Sequence, residues 1–420
     1  MSHSPPVDVA PASLRRDAAV IGLVGLAHAI SHFSQLLLPP LFPWLKDAFH
    51  VGYAELGALL TIFFAVSCAV QAASGFLVDR LGPRPVLFAG MALLIAAAFG
   101  YAASSSYAML ALFSVVAGIG NGVFHPVDYT LLNRRIQGPR LGHAFSVHGI
   151  SGSLGWALAP ALLVPIAIAL SWRAALATAG GLGCAVLLVL WLQRHHLTVA
   201  MTSAATPPAA PSRLAVAAPR GESFAFLAIP AVWMCFAFFF LYAVIISGIQ
   251  AFAPEAARQL HAVPMQTASL CLTLYMVASA CGMVGGGFLA AEPARAERIV
   301  AASFATAAVL AFGLGLAPLP SSAVPFAFAL MGVAAGIAGP SRDLIVKRAA
   351  PPNATGRVYG VVYSGLDIGQ AVAPLAYGWL LDSHRPADVW LLIGLVQLLL
   401  VATAFNVRRA RRTLGAPLPA

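Results

Sequence analysis

Apolar residues in this chain run in unbroken stretches of about 20 or more, and the polar and charged residues gather in short clusters between them. A stretch of that length, coiled as a helix, crosses the hydrocarbon core of a bilayer. Twelve spans are predicted, at roughly 18–45, 53–78, 85–104, 107–132, 141–169, 173–193, 224–252, 264–290, 297–317, 322–346, 356–381 and 387–407. None shows the short alternating segments of a membrane β-barrel, so the spans are read as helices. The expected fold is an all-α polytopic membrane protein.

Charge supports this picture and adds a direction. Only 9% of the 420 residues are charged and 60% are hydrophobic, with a mean hydropathy of +0.86. A soluble protein carries about a quarter of its residues as charge, so a soluble enzyme is excluded. A net charge of +10 would suit nucleic acid, but the basic residues stand between and beside the spans, where they act as topology signals. With the N-terminus inside, 19 of the 24 Lys and Arg residues fall on one side. Only Lys46, Arg173, Arg258 and Arg385 fall on the other, and Arg342 lies within a span. Both termini are therefore expected in the cytoplasm, in an inner or plasma membrane.

The Pro- and Ala-rich segment 194–223 reads as a cytoplasmic linker between a six-helix bundle at 18–193 and a second at 224–407. Residues 1–17 form a short tail without a cleavable signal pattern, and residues 408–420 a basic tail.

Sliding the chain against itself by 214 residues exposes a repeat. Gly118, Gly122, Pro126 and Arg134 meet Gly332, Gly336, Pro340 and Arg348, while Gly142, Gly155, Ala159 and Pro160 meet Gly356, Gly369, Ala373 and Pro374. Each half has an even number of spans, so the copies run in the same direction around an axis along the membrane normal. Parallel repeats of this kind enclose a central site that rocking opens to one side at a time.

Between the second and third spans stands Gly75-Phe76-Leu77-Val78-Asp79-Arg80-Leu81-Gly82-Pro83-Arg84, which resembles the loop signature of the major facilitator superfamily. Gly75 is expected to permit close helix approach, Asp79 to cap and pair across helix ends, and Arg80 and Arg84 to anchor the inner face. Pro83 departs from the signature, and so does the second-half copy, Gly287 to Glu292. The first span, with His28, His32 and Gln35, and Phe124-His125-Pro126 in the fourth, are similar to the fosmidomycin-resistance group of drug exporters, although an acid usually stands where this chain has His32. The partial antiporter motif Gly155-x-x-x-Ala159-Pro160 lacks its later glycine pair.

Ionisable groups inside a span need a partner, a wet cavity or a task. His28, His32 and Gln35 share one helix face, as do Asn121, His125 and Asp128. The resemblance places the first, fourth, seventh and tenth spans around the cavity, so both faces are expected to point inward. The same side chains could instead cap breaks near Pro39 and Pro126 or bond between helices. The expected substrate contacts are His28, His32, Gln35, Asn121 and His125 from one half, and Tyr242, Gln250 and Arg342 from the other. Asp367, on the face of Tyr359 and Tyr363, is the leading proton carrier, with His32 and His125 as further candidates; a structural hydrogen bond is its other reading. Asp128 and Arg342, equivalent in the repeat, are expected to pair across the halves when the inner mouth closes. Arg342 could instead pair with Asp343 or serve an anionic substrate. The cluster Phe236, Phe238, Phe239 and Phe240 is expected to face lipid.

No phosphate-binding GxxxxGK[ST] loop and no nucleophile–base set stands out, so neither an enzyme nor an ATP-driven pump is expected. The five cysteines lie in apolar segments without CxxC spacing and read as small hydrophobes. No cofactor and no resident metal are expected, and no nucleic acid; the partners are a small-molecule substrate, protons and the lipid bilayer, and the chain is read as a monomer. The sequence thus points to proton-coupled efflux of a small organic solute by antiport. Its rivals are a symport or gradient-driven importer of a small metabolite and a copper importer using His and Met ligands such as His261 and Met265.

Overall fold

Prolines stand beside the breaks in three of the spans. The computed structural model describes residues 14–136, 138–199, 230–289, 295–349 and 355–414, nearly all of them in helices. The first span is α1 (Leu14–Gln35), a 3₁₀ turn at Pro39–Leu41 and α2 (Phe42–Phe49). The fourth is α5 (Tyr107–Asn121) followed, after a two-residue interruption, by α6 (Phe124–Arg135). The seventh is α9 (Pro230–Ser247), a π-helical turn at Gly248–Phe252 and α10 (Ala253–His261). A proline cannot donate to the carbonyl four residues back and its ring crowds that carbonyl. Pro126 and Pro254 accordingly follow the breaks at Gly122 and Gln250.

The unbroken helices are α3 (Tyr53–Leu81), α4 (Pro83–Ala103), α7 (Gly138–Ala169), α8 (Trp172–Leu192), α11 (Met265–Leu289), α12 (Ala296–Leu316), α13 (Val324–Ala349), α14 (Thr355–Asp382) and α15 (Pro386–Leu414). Among the described residues, eleven segments are long and apolar enough to cross a membrane. The twelfth helix, α14, is 28 residues long but is made more polar by Asp367 and Gln370.

Neighbours repeat between the halves as the 214-residue offset demands. In the first half α1 packs on α7, α3 on α5, and α4 on α5 and α8; in the second, α9 packs on α14, α11 on α13, and α12 on α13 and α15. The halves meet through two crossings that the repeat exchanges, α3 with α14 and α7 with α11. Repeated glycines make the tight packing possible. A Cβ at Gly118 or Gly122 would stand 2.6 Å from a backbone oxygen of α3, and one at Gly332 or Gly336 would stand 2.3 or 2.1 Å from one of α11. Without that close approach the membrane offers little else to hold helices together, since lipid tails are as apolar as the side chains.

Among the described residues, the crossings close at the end poor in arginine. At the end poor in arginine, a Cβ at Gly57 would lie 2.5 Å from the Pro374 oxygen, and Asp382 at the end of α14 accepts from the Tyr53 and Ala54 amides at 2.7 and 2.8 Å. That carboxylate therefore caps α3 from the opposite half. Ser269 and Thr273 on α11 donate to the Pro160 and Ala157 oxygens of α7. Towards the arginine-rich end, by contrast, nothing among the described residues lies within 4 Å of a Cβ at Gly75, Gly142 or Gly287. Among the described residues α3 meets α14 at Gly57 rather than at Gly75. Gly82 does the turning, with φ 84° between the end of α3 and the start of α4, a conformation costly to any residue with a Cβ.

Asp79 faces Arg134 at 3.8 Å with both side chains well exposed, a pair worth roughly 0–1 kcal/mol. Arg84 donates to Thr198 at 3.0 Å. Phe238 and Phe239 are buried rather than lipid-facing, because α9 turns them toward Phe304 and Arg342. The bulk of the expected linker and both tail ends, residues 200–229, 1–13 and 415–420, lie outside the described residues, as do the side chains of Asp343, Tyr359 and Tyr363.

Candidate functional site

The broken fourth span and α1, the long first part of the first span, bring their polar faces together. His28 and His32 are one turn apart on α1, with ring centroids 4.3 Å apart. His125, just past the break in the fourth span, has its centroid 5.6 Å from that of His28. The fourth member comes from α7, where His148 stacks on His28 at 3.6 Å. Four imidazoles therefore share one site. Asp128 is fully buried among them: its Oδ2 lies 3.1 Å from His148 Nε2, a hydrogen bond, and 3.0 Å from His28 Nδ1. Its Oδ1 has no hydrogen-bond partner, and neither has the enclosed Nδ1 of His32. An unsatisfied buried polar atom costs about 1–3 kcal/mol, so this cluster is not arranged for stability alone.

A second group of polar residues braces the first. Asn121 Oδ1 accepts from Ser31 Oγ at 2.8 Å and Gln35 Nε2 at 3.3 Å, and its Nδ2 donates to Ser67 Oγ at 2.8 Å. Trp156 Nε1 donates to Gln35 Oε1 at 3.0 Å, and its ring lies 4.3 Å from that of His32. Gln35 and Asn121 thus spend most of their hydrogen-bonding capacity joining α1, α3, α5 and α7.

The site reaches the other half through one amide. His125 Nδ1 lies 2.8 Å from Gln71 Oε1 on α3, and Gln71 Nε2 donates to Asp367 Oδ2 on α14 at 3.1 Å. Because a carboxylate only accepts, the amide nitrogen must face Asp367, which leaves Oε1 toward His125 and requires the imidazole proton on Nδ1. His32, His125 and Asp367 each keep partial solvent exposure, whereas His28, His148 and Asp128 are buried.

In the second half, Arg342 on α13 lies over the Tyr242 ring at 4.7 Å and the Phe239 ring at 5.3 Å. The structure therefore groups His28, His32, Gln35, Asn121 and His125 in one half, and Tyr242 with Arg342 in the other. Asp128 takes its partners within its own half, from His28 and His148, rather than from Arg342. Gln250 belongs to neither group. It is buried in the π-helical turn two turns beyond Tyr242 and lines a cavity of about 30 Å³ with Pro39, Pro160 and Ser269, room for a water and not for an organic solute. His261 is buried with its Nε2 bonded to the Leu314 carbonyl at 2.8 Å, and among the described residues it is not one of a trio of His, Cys, Asp or Glu side chains placed to hold a metal. Two such trios are His28, His32 and His125, and His28, Asp128 and His148, each with its donor atoms within 4.8 Å of one another.

Sequence reasoning missed His148, Gln71, Ser31, Ser67 and Trp156. His148 and Gln71 were visible as polar residues within apolar spans, but no local spacing ties them to His28 or Asp367. Only the helix packing does.

The family model for the Major Facilitator Superfamily matches residues 24–374 and 248–419. The chain belongs to that superfamily. It is 28% identical to the fosmidomycin resistance protein of Escherichia coli (strain K12) over 170 residues, 40% of this chain and 42% of that protein. It is also 28% identical to a probable nitrate/nitrite transporter of Mycobacterium tuberculosis (strain ATCC 25618 / H37Rv) over 397 residues, 93% of this chain and 95% of that one. Among solved structures, a bacterial homologue of the human lysosomal transporter Spinster, inward-facing and unoccupied, superposes with a TM-score of 0.75 at 15% identity, covering 97% of this chain and 100% of that one. A nucleoside transporter gives 0.71 at 14% identity, covering 94% and 100%. The fold is that of these transporters, and the protein is a multi-pass membrane transporter of small solutes, not an enzyme.

Proposed function

We propose that the protein exports a small organic solute by alternating access, exchanging it for protons, with the four-histidine cluster and the Tyr242–Arg342 wall as the two faces of the solute site. The observation that carries this reading is the hydrogen-bonded sequence His125, Gln71, Asp367, which joins the cluster to the opposite half. An ionised Asp367 holds Gln71 and so ties α14 to α3; a protonated one gives up much of that hold. Since a ligand or proton moves an equilibrium only through a differential interaction with its states, a proton at Asp367 would bias which end is closed. The closed arginine-poor end and open arginine-rich end support a state accessible from the cytoplasm, with both termini there and a single chain as the working unit.

The names of the relatives, nitrate/nitrite and fosmidomycin, support a small anionic solute, which Arg342 beside Tyr242 suits by charge. Growth of strains lacking or overexpressing the gene, challenged with fosmidomycin, nitrite and a panel of toxic organic anions, separates the directions. Export predicts a sensitive deletion strain, and a resistant deletion strain would establish the importer instead. In vesicles, Asp367→Asn is expected to abolish proton-driven accumulation while sparing solute exchange; intact accumulation would remove Asp367 from that role.

A further inference from the structure

We propose that His28, His32 and His125 form a binding site for a divalent transition-metal ion, with a fourth position open toward the solute space. This deepens the reading above, since it takes the same cluster and assigns it a ligand class.

Three features carry it. The three rings offer donor nitrogens within 4.8 Å of one another, which a tetrahedral ion with metal–nitrogen distances of about 2.1 Å would draw in to roughly 3.4 Å. One tautomer is set for it: Gln71 holds the Nδ1 proton of His125 and leaves Nε2 with a free lone pair, while Asp128 Oδ2 lies 3.0 Å from Nδ1 of His28, which makes no hydrogen bond. A carboxylate behind a histidine is the usual outer support of a metal-bound imidazole. Finally, His32 Nδ1 is enclosed and has no hydrogen-bond partner, and Asp128 Oδ1 is buried without one. Neutral imidazoles with few oxygen donors favour Zn²⁺, Cu²⁺, Ni²⁺ or Co²⁺ over Mg²⁺ and Ca²⁺. Partial exposure of His32 and His125 gives the ion a way in.

The test uses the purified full-length chain without an affinity tag, titrated with Co²⁺ and followed by its visible absorption, then with Zn²⁺ in competition. The expected result is one equivalent of tightly bound Co²⁺ with a tetrahedral spectrum, displaced by Zn²⁺. His32→Gln and His125→Asn should each lose that spectrum, and Asp128→Asn should weaken binding about 10- to 100-fold. Replacing the exposed neighbours His195 and His196 together by alanine should leave it unchanged. Thermal unfolding of each variant shows that the fold survives. No bound Co²⁺, or binding indifferent to His32→Gln and His125→Asn, overturns the proposal. Proton-driven transport that persists without metal binding would overturn this site alone, and metal binding without proton-driven transport would overturn the transport reading alone.

Discussion

Gln71 on α3 donates from Nε2 to Oδ2 of Asp367 on α14 across 3.1 Å, and the two residues belong to opposite halves of the molecule. The same amide holds His125 through its oxygen, so a change of protonation at either end is felt at the crossing between the halves. Gln71→Leu removes the link and keeps the bulk. Coupling free energies between sites run at about 1–3 kcal/mol, so proton-driven accumulation in vesicles should fall about 5- to 150-fold while solute exchange continues. Unchanged accumulation would show that the link carries nothing.

Gly75 is predicted to matter only in the state not seen here. With no described neighbour within 4 Å of its Cβ position, Gly75→Leu should fold and unfold thermally like the wild type, yet block transport once the arginine-rich end has to close. Gly57→Leu is the converse. Its side chain would run into the Pro374 oxygen, so the arginine-poor end should stay open and a cysteine placed at Ala268, buried in the closed end, should react faster with an impermeant thiol reagent. Equal reactivity in the two variants would contradict the alternation.

Asp382 is a removable latch. Helix-capping side chains contribute about 1 kcal/mol, and Asp382 satisfies two amides of α3. Asp382→Ala should therefore shift the population toward opening of the arginine-poor end by about five-fold or more, read as faster labelling at that same cysteine.

At Asp128 the expected effect is on stability as well as transport. Asp128→Ala leaves His148 without its acceptor and His28 without the carboxylate 3.0 Å from its Nδ1, and should destabilise the purified protein by about 1–3 kcal/mol. Asp128→Asn, which keeps an acceptor oxygen, should recover part of that in the same thermal unfolding measurement.

Much of this architecture could be read along the chain. The length of the apolar stretches fixed the helices, the constant 214-residue offset of Pro126 with Pro340 and Gly118 with Gly332 revealed the duplication, and the polar spacing of His28, His32 and His125 gave one side of the site. Other features depend on packing between distant helices. His148 reaches Asp128 only because α7 lies against α1, Gln71 meets Asp367 only at the α3–α14 crossing, and Gln250 is carried away from the cluster by a π-helical turn whose register no spacing rule supplies. Arg342 and Asp128, equivalent in the repeat, face different company because the duplicated sequences have diverged around them, with His28 and His148 on one side and Tyr242 on the other.

The dependence of the conformational equilibrium on a proton at Asp367 can be read directly. Spin labels on cysteines replacing Ser146 in α7 and Gly287 in α11, both exposed near the arginine-rich end, report the separation of the halves by pulsed electron resonance as the pH is varied. A distance distribution that shifts with pH in the wild-type protein and stays fixed in Asp367→Asn is the expected result; a distribution that ignores pH in both, or shifts equally in both, would contradict it.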